Sequence, residues 1–503
     1  MSAPVLNYSL LAPILIILGG ALLGVLVEAF ISKALRATLQ LGIALGSVVL
    51  SFAWLWKVHN ESSISAAVKS VAMDPAGIYI QGIILILAFI AILLIADQDN
   101  FTAQASALPG SEEESVAIAE GKQQTEVFPL TLFAIAGMML FPIATDLITL
   151  FVALEVLSLP LYLMAGLSRR RRLLSQEAAL KYFLLGAFSS AIFLFGVAFL
   201  YGYSGSLNFN EIAASISASG NNSVFLYIGI IFISVGLLFK VGAVPFHSWT
   251  PDVYQGAPTP ITGFMAACTK VAAFGATLRL FYVALDSVDG TWKPIITAIA
   301  MITMVIGSIA AMTQRDIKRA LAYSSIAHAG FLLIGVVALS QAGLASSLFY
   351  FLAYGLATLG AFAVITIVRD SSGEVTDLNR WVGLGKKSPL IAAIFSIFLL
   401  SFGGIPLTAG FVGKFAIFSA AYQTGNMAIV VVAALASAIA LFFYLRIVLM
   451  IWFAEPTNDS VTVVIPSFLT RTAIFVTVAA TLIFGVIPAP LLDSAKNFAV
   501  FLR

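Results

Sequence analysis

The chain has 503 residues, of which 60% are hydrophobic and only 10% are charged. Soluble globular proteins carry about 25% charged residues, so this composition excludes a soluble enzyme. The net charge of +2 gives no basic footprint for nucleic acid, and the single cysteine excludes an internal disulfide and a cysteine metal cluster. The apolar residues come in runs of about 20, which is the length that a helix needs to cross a bilayer.

The apolar runs predict fourteen membrane-spanning segments. Only a helix satisfies its own backbone in lipid, and a membrane barrel would show alternating segments of about ten residues. The sequence therefore predicts an all-α polytopic membrane protein, with spans at 9–31, 38–56, 77–96, 128–144, 147–168, 177–202, 223–255, 260–285, 292–313, 317–340, 343–368, 388–422, 427–453 and 468–489. The first run has no basic start and no small-residue cleavage site, unlike a cleavable signal peptide.

The distribution of lysine and arginine predicts the topology. With the N-terminus outside, fifteen of these residues fall in inner loops and five in outer loops and the tail. Because basic loops stay on the inner side of the membrane, we expect both termini on the outer side. The longest interruption, 97–127, is acidic. It is interpreted as a solvated inner loop or, alternatively, as a docking surface for a soluble partner.

Two of the predicted spans are longer than a bilayer requires and contain helix breakers. Pro245 interrupts 223–255, and the run Gly403-Gly404-Ile405-Pro406 interrupts 388–422. Non-helical backbone at this depth is tolerated only where it is buried in protein or lines a wet cavity. Five spans separate the breaks, so the broken helices point in opposite directions. This arrangement predicts two inverted five-helix repeats, 128–285 and 286–453, each with a discontinuous helix, flanked by 1–127 and 454–503.

Four charged side chains lie deep inside predicted spans, where charge is costly. They are Glu155, Lys240, Lys270 and Lys414. Holding a charged group near mid-membrane costs roughly 2.5–3.5 kcal/mol, which a chain needed only for anchoring would have no reason to bear. Burial disfavours the charged form of lysine, and a nearby carboxylate favours it. A row of such groups can therefore pass protons along the membrane plane.

Other charged or titratable residues allow two interpretations each. Lys181 either snorkels to the interface or takes part in proton transfer. His247 at the first break and His328 within its helix either carry protons or are simply hydrogen-bonded. Asp252 is expected to cap or tie a loop. Arg279 and Arg446, near span ends, are expected to snorkel or pair.

Four stretches resemble the antiporter-like membrane subunits of respiratory complex I. They are FKVGAVPFHSWTPDVYQGAPTP at 239–260, EAALKYFLLGA at 177–187, KRALAYSSI at 318–326 and GGIPLTAGF at 403–411. The resemblance covers essentially the whole chain and is closest to the N-type branch. The M-type carries a glutamate where this chain has Lys414, and the L-type has a long C-terminal lateral helix, whereas only about fourteen residues follow the last predicted span here.

The resemblance implies fourteen helices, two inverted repeats and a proton path. By position, Glu155 matches the acid that pairs with Lys240, Lys270 the central connecting residue, and Lys414 the lysine of the second broken helix. Lys181 matches the lysine of the KYFLLG stretch, whereas His328 occupies a position to which the resemblance assigns no role. It implies no cofactor in this chain. NAD, FMN, iron–sulfur clusters and quinone are expected in partner subunits of a complex in the bacterial inner membrane.

The sequence thus predicts a non-redox, proton-translocating subunit of an NADH:quinone oxidoreductase. Its expected neighbours are other antiporter-like and small membrane subunits, with no nucleic acid. An alternative is a subunit of a cation/proton antiporter, which sodium-dependent transport without NADH oxidation would distinguish. A second alternative is a membrane scaffold, which predicts that the buried lysines tolerate neutral replacement.

Overall fold

The structure, a computed structural model, describes residues 6–61, 67, 69–97, 112, 116, 124–168, 172–219, 223–370, 373–455 and 461–502. Helices dominate the first half of the chain. Their bounds are α1 Tyr8–Phe30, α2 Lys33–Val58, α3 Pro75–Ile95, α4 Val127–Leu140, α5 Leu147–Ala165, α6 Arg172–Ser204, α7 Phe209–Ser219, α8 Val224–Val241, α9 Trp249–Gly256, α10 Thr259–Phe264 and α11 Lys270–Arg279.

The second half is also helical, with short strands near two of its loops. Its elements are α12 Asp289–Met312, α13 Ile317–Ala338, α14 Gln341–Ile367, β1 Val368–Asp370, β2 Gly373–Glu374, α15 Leu384–Lys387, α16 Pro389–Gly403, α17 Ala409–Gln423, α18 Met427–Phe453, β3 Thr462–Val463, α19 Phe468–Val486 and α20 Ala489–Phe498. Two π-helical turns, Met265–Thr269 and Leu280–Ala284, make α10 and α11 parts of one continuous segment.

Twelve helical segments of the described residues are long and apolar enough to cross a membrane. Two shorter apolar helices, Val127–Ile143 and Pro389–Gly403, accompany them. Three of the long segments are almost wholly buried and form the core: Thr259–Ala284, Ile317–Ala338 and Gln341–Ile367. The prediction of a helical, multi-pass membrane protein is therefore confirmed.

Both predicted helix breaks are present and end in the same way. α8 stops at Gly242 and α16 at Gly404, both with a left-handed backbone (φ of 76° and 79°). At each break the amide two residues beyond the last helical residue bonds back into the last turn, from Ala243 to the Leu238 carbonyl and from Ile405 to that of Leu400. This is the hydrogen-bond pattern of a Schellman cap, which requires a residue that tolerates positive φ.

Several described elements lie outside the predicted spans. The strands form a small antiparallel sheet in the order β2-β1-β3, in which Arg369 faces Glu374 and Val368 faces Val463. Helices α7 and α20 are short, with 11 and 10 residues. A 20-residue hydropathy pattern does not detect such elements, because they do not cross the membrane. Most of the predicted acidic segment 97–127, namely 98–111, 113–115 and 117–123, lies outside the described residues.

A buried ion pair ties together helices that are distant in sequence. The Arg279 guanidinium is bidentate on Asp74, with two nitrogen–oxygen distances of 2.7 Å, and both side chains are 1% exposed or less. Asp74 also caps α3 and accepts the Leu502 amide at 3.1 Å, and the Phe501 ring lies 4.5 Å from the guanidinium. Of the two interpretations of Arg279, pairing is therefore the correct one.

Replacing Arg279 with methionine is expected to lower the free energy of unfolding by about 3–5 kcal/mol, because it leaves the Asp74 carboxylate buried without its partner. The double variant Arg279→Met/Asp74→Asn should recover part of this loss. Thermal unfolding of the detergent-solubilised protein measures both. Lys293→Met is the control, since Lys293 lies 4.0 Å from Asp289 in a partly exposed pair. If Arg279→Met were as stable as Lys293→Met, the prediction would be wrong.

Candidate functional site

Lys240 lies in the last turn of α8 and is 4% exposed. Its Nζ donates a hydrogen bond to Ser158 Oγ at 2.7 Å and a longer one to Tyr182 Oη at 3.4 Å. The ammonium also lies over the rings of Tyr182 and Tyr162, at 5.4 and 6.0 Å from their centroids. Hydroxyl and ring contacts of this kind stabilise a buried cation.

Glu155 lies three residues before Ser158 on the same helix, α5, and is partly buried. It interacts electrostatically with Lys240, but the two side chains do not form an ion pair in this conformation, because the lysine points to Ser158 instead. Among the described residues, no hydrogen-bond donor reaches Glu155 Oε1, although that atom is buried. A buried acceptor without a partner is rare in folded proteins, and it marks Glu155 as a site with unused hydrogen-bonding capacity.

Lys270 follows directly after the π-helical turn Met265–Thr269, and such turns occur frequently at functional sites. Its side chain is 6% exposed. The Nζ donates to the Ser325 carbonyl and to Ser325 Oγ, the latter at 2.6 Å. The Tyr354 ring centroid lies 5.5 Å away. One serine of α13 therefore supplies both oxygen ligands of this ammonium.

Aromatic side chains lie between the surroundings of Lys240 and those of Lys270. Trp249 stacks on Tyr182 with centroids 4.7 Å apart, and Tyr254 lies 6.4 Å from Trp249. The hydroxyls of Tyr254 and Tyr354 both interact with the Ser325 side chain. The lysine of α8 and the lysine of α11 are thus joined by buried tyrosines and a tryptophan.

His328 lies between Lys270 and Lys414. It is 2% exposed, and its Nδ1 is 2.7 Å from Tyr350 Oη. The imidazole interacts electrostatically with both lysines, and its ring lies 4.7 Å from that of Tyr354. The structure therefore brings His328 into the row, at a position to which the resemblance assigned no role.

Lys414 caps the first half of the second broken helix. Its Nζ donates to the carbonyl oxygens of Phe402 at 2.8 Å and Gly403 at 3.4 Å, and to Ser437 Oγ at 2.9 Å. The ammonium also lies 4.6 Å from the Phe331 ring centroid. The two carbonyls belong to the last turn of α16, where the helix dipole favours a positive charge. Lys414 thus satisfies acceptors that the break leaves without helical partners.

Lys181 and His247 lie outside this row. Lys181 is 40% exposed and pairs with Glu177 and Asp252, each at 2.6 Å. Asp252 also accepts a hydrogen bond from Arg319 Nη1 at 2.6 Å. It lies within helix α9 and not in a loop, and its contacts tie α6 and α13 to that helix. His247 is half-buried in the first break, and its ring lies 6.5 Å from that of Tyr323.

The polar partners of the lysines and of His328 were not selected from the sequence. They are Ser158, Tyr182, Ser325, Tyr350, Tyr354 and Ser437. The spacing of these residues along their helices could have indicated part of this set. Ser158 follows Glu155 by three residues, Ser325 precedes His328 by three, and Tyr350 and Tyr354 are four apart, so each pair shares a helix face. Spacing alone does not show which other helix that face meets.

The described residues contain no group of three or more histidine, cysteine, aspartate or glutamate side chains that could hold a metal ion. The fold and the site define the class of protein. It is a polytopic helical membrane protein with two broken helices and a buried row of lysines, serines, tyrosines and a histidine. The family model described as NADH:quinone oxidoreductase/Mrp antiporter, TM, matches residues 144–440. The chain belongs to this family.

Relatives extend the similarity over the whole chain. NADH-quinone oxidoreductase subunit N of Rhodococcus opacus is 53% identical over 526 residues, covering 100% of this chain and 97% of its own. The subunit N of Mycobacterium tuberculosis is 48% identical over 530 residues, with both chains covered fully. Within the family, the chain is therefore similar to N subunits from end to end.

Solved structures share the fold. A chain of respiratory complex I from Thermus thermophilus with bound aureothin matches with a TM-score of 0.78 and 31% identity, covering 96% of this chain and 98% of that chain. A chain of the Mrp complex from Dietzia matches with a TM-score of 0.80 at 21% identity, covering 97% and 96%. The second match concerns the fold alone.

Proposed function

We propose that the chain is a proton-translocating membrane subunit of an NADH:quinone oxidoreductase. The observation that carries this proposal is the buried row from Lys240 through Lys270 and His328 to Lys414, which passes both helix breaks. The names of the relatives that match over the full length support the same assignment. In this proposal the chain holds no redox cofactor. NAD, FMN, iron–sulfur clusters and quinone belong to partner subunits, among them neighbouring antiporter-like and small membrane subunits.

The architecture that goes with this function has fourteen spans and two inverted repeats, 128–285 and 286–453. The N-terminal unit is 1–127 and the C-terminal unit 454–503. The shared Schellman cap at Gly242 and Gly404 supports a common origin of the two broken helices. We place both termini on the outer side of a bacterial cell membrane, because this orientation puts most lysines and arginines inside.

Glu155, Ser158 and Lys240 form the proposed switch. Two positions are available to the lysine ammonium: the Ser158 hydroxyl, which it contacts at 2.7 Å, and the Glu155 carboxylate one turn away. Pairing with the carboxylate favours the charged lysine, and leaving it favours proton release. Quinone chemistry in a partner subunit would bias the lysine between these positions, as an electrostatic change acting on a two-state element.

From Lys240 the proton is proposed to move to Lys270 and His328, and then to Lys414, which releases it outward. The electrostatic interactions of His328 with Lys270 and Lys414 support this order. Lys181 is a proposed point of entry, because it is 40% exposed and precedes Tyr182, which contacts Lys240. His247 is proposed to exchange protons at the first break, where its ring is half-buried.

Gentle purification of the chain from its membrane tests the assignment. We expect flavin- and iron–sulfur-bearing partners, NADH–quinone reductase activity, and proton uptake by proteoliposomes that depends on this activity. Small hydrophobic partners with sodium-dependent proton exchange and no redox activity would instead assign the chain to a cation/proton antiporter.

Ser158→Ala is expected to slow proton translocation by roughly tenfold or more, because a hydrogen bond to a charged group is worth about 1.5–3 kcal/mol. Without the hydroxyl, the lysine stays with Glu155 and the switch remains in one position. Ser158→Thr keeps the hydroxyl and should retain most of the rate. The rate of proton translocation in proteoliposomes is the measurement. Equal rates for the wild type and Ser158→Ala would exclude Ser158 from the switch.

A further inference from the structure

A cavity of about 360 Å³ lies where the last turn of α12 meets the second half of α18. Its walls combine polar and apolar side chains, among them Gln314, Arg315, Asn379, Phe443, Arg446 and Met450. None of these residues belongs to the buried lysine row. The cavity therefore requires a separate explanation.

Two arginines in this cavity have N–H donors that are available to a ligand. Arg446 is exposed, and its Nη1 donates to the Met312 carbonyl at 3.2 Å. Arg315 is exposed as well. Neither takes part in an ion pair among the described residues. Since a guanidinium carries five N–H donors, two of them in one cavity present a site for an anion.

The carboxylates next to Arg315 have donors of their own. Asp370 accepts Arg380 Nη1 at 2.5 Å. Asp316 accepts the Arg319 amide at 3.0 Å and the Thr376 hydroxyl at 2.6 Å. Asp316 and Asp370 line a neighbouring pocket together with Glu374 and Asp377, and that pocket shares Arg315 and Asn379 with the cavity. Among the described residues, no carboxylate lines the cavity itself.

Exposed apolar stripes lead along both helices to this cavity. On α12 the stripe ends one turn before Met312, and on α18 it flanks Arg446. Its members are Ile302, Ile306 and Ile309 on α12, and Phe442, Leu445 and Leu449 on α18. Residues three or four apart share one helix face, and α12 packs against α18. The surface therefore offers an apolar groove along α12 and α18 that contains a pair of guanidiniums.

We propose that this groove binds an anionic phospholipid. The phosphate group lies between Arg315 and Arg446, with Asn379 as a further donor, and the acyl chains lie along the two stripes. A basic pocket between membrane helices at the headgroup level suits such a lipid. A free phosphate would use only the arginines, and an apolar partner helix would leave the guanidiniums buried without counter-charge.

Photoreactive lipids test the proposal on the intact membrane complex in nanodiscs. Phosphatidylglycerol and phosphatidylcholine carrying the same photoreactive acyl chain are compared, and labelled peptides are mapped by mass spectrometry. We expect phosphatidylglycerol to label the ends of α12 and α18 preferentially. The double variant Arg315→Gln/Arg446→Gln should weaken this labelling about 25-fold, because each arginine near an anionic headgroup contributes about fivefold.

Arg471→Gln is the matched control. Arg471 is also exposed, bonds a backbone carbonyl (that of Pro466, at 3.4 Å) and lies outside the cavity. Its removal should leave the labelling unchanged. Equal labelling by the two lipids, or undiminished labelling of the double variant, would refute the site. So would competition by millimolar inorganic phosphate, which would indicate a simple anion site, or absence of labelling by either lipid, which would indicate a protein neighbour.

Discussion

Lys240→Ala is expected to reduce proton translocation by about a hundredfold or more, since a positioned proton-transfer group contributes roughly 10²–10⁴-fold. The ammonium bonds the α5 hydroxyl of Ser158 and lies within the field of Glu155, so no other described side chain of α8 can take its place. Lys240→Arg should fail equally, because a guanidinium keeps its proton in proteins. Proton uptake per electron in proteoliposomes measures both variants.

Lys496→Ala is the control for this experiment, because Lys496 is 68% exposed on α20 and, among the described residues, forms an ion pair only with Asp493. It should translocate protons like the wild type. If Lys240→Arg restored translocation that Lys240→Ala had lost, a fixed positive charge would suffice. Proton transfer by this lysine would then be excluded, while its structural role would stand.

Lys414→Met is expected to abolish proton translocation and also to destabilise the second break. The carbonyls of Phe402 and Gly403 lose their charged donor, and an unsatisfied buried acceptor costs about 1–3 kcal/mol. Lys414→Arg keeps the charge and the donors at the end of α16. We expect it to recover stability without recovering translocation, since the guanidinium does not release a proton.

Thermal unfolding and proton uptake, measured on the same preparations, separate the two roles of Lys414. Lys386→Met serves as the control, because Lys386 is 51% exposed and lies 3.9 Å from Glu455. It should change neither quantity appreciably. Full translocation by Lys414→Arg would show that Lys414 acts as a helix cap alone, and the proton path would have to end at another residue.

Hydropathy and a few isolated charges predicted the helical membrane fold and the positions of its breaks. The span 77–96 corresponds to Pro75–Ile95, and 317–340 to Ile317–Ala338. Both breaks lie where glycine and proline interrupt an apolar run. These predictions depend on local properties, namely the length of a run in lipid and the backbone freedom of single residues. Hydropathy did not predict the short helices α7 and α20, because helices of this kind carry no long apolar run.

The partners of the buried charges lie on helices that are far apart in sequence, so the sequence did not predict them. The resemblance implied that Glu155 and Lys240 form a pair, but only the structure shows that the lysine contacts the Ser158 hydroxyl. It likewise brings Asp74 to Arg279 and Ser325 to Lys270.

The sequence by itself determined the class of protein, the positions of the breaks and the charges inside the membrane. Each of these follows from how one residue or one run interacts with lipid. Only the tertiary structure decided that His328 lies between Lys270 and Lys414, and that Arg315 and Arg446 share a cavity. Helical periodicity tells which face a side chain occupies, whereas the choice of the facing helix depends on how all the helices pack together.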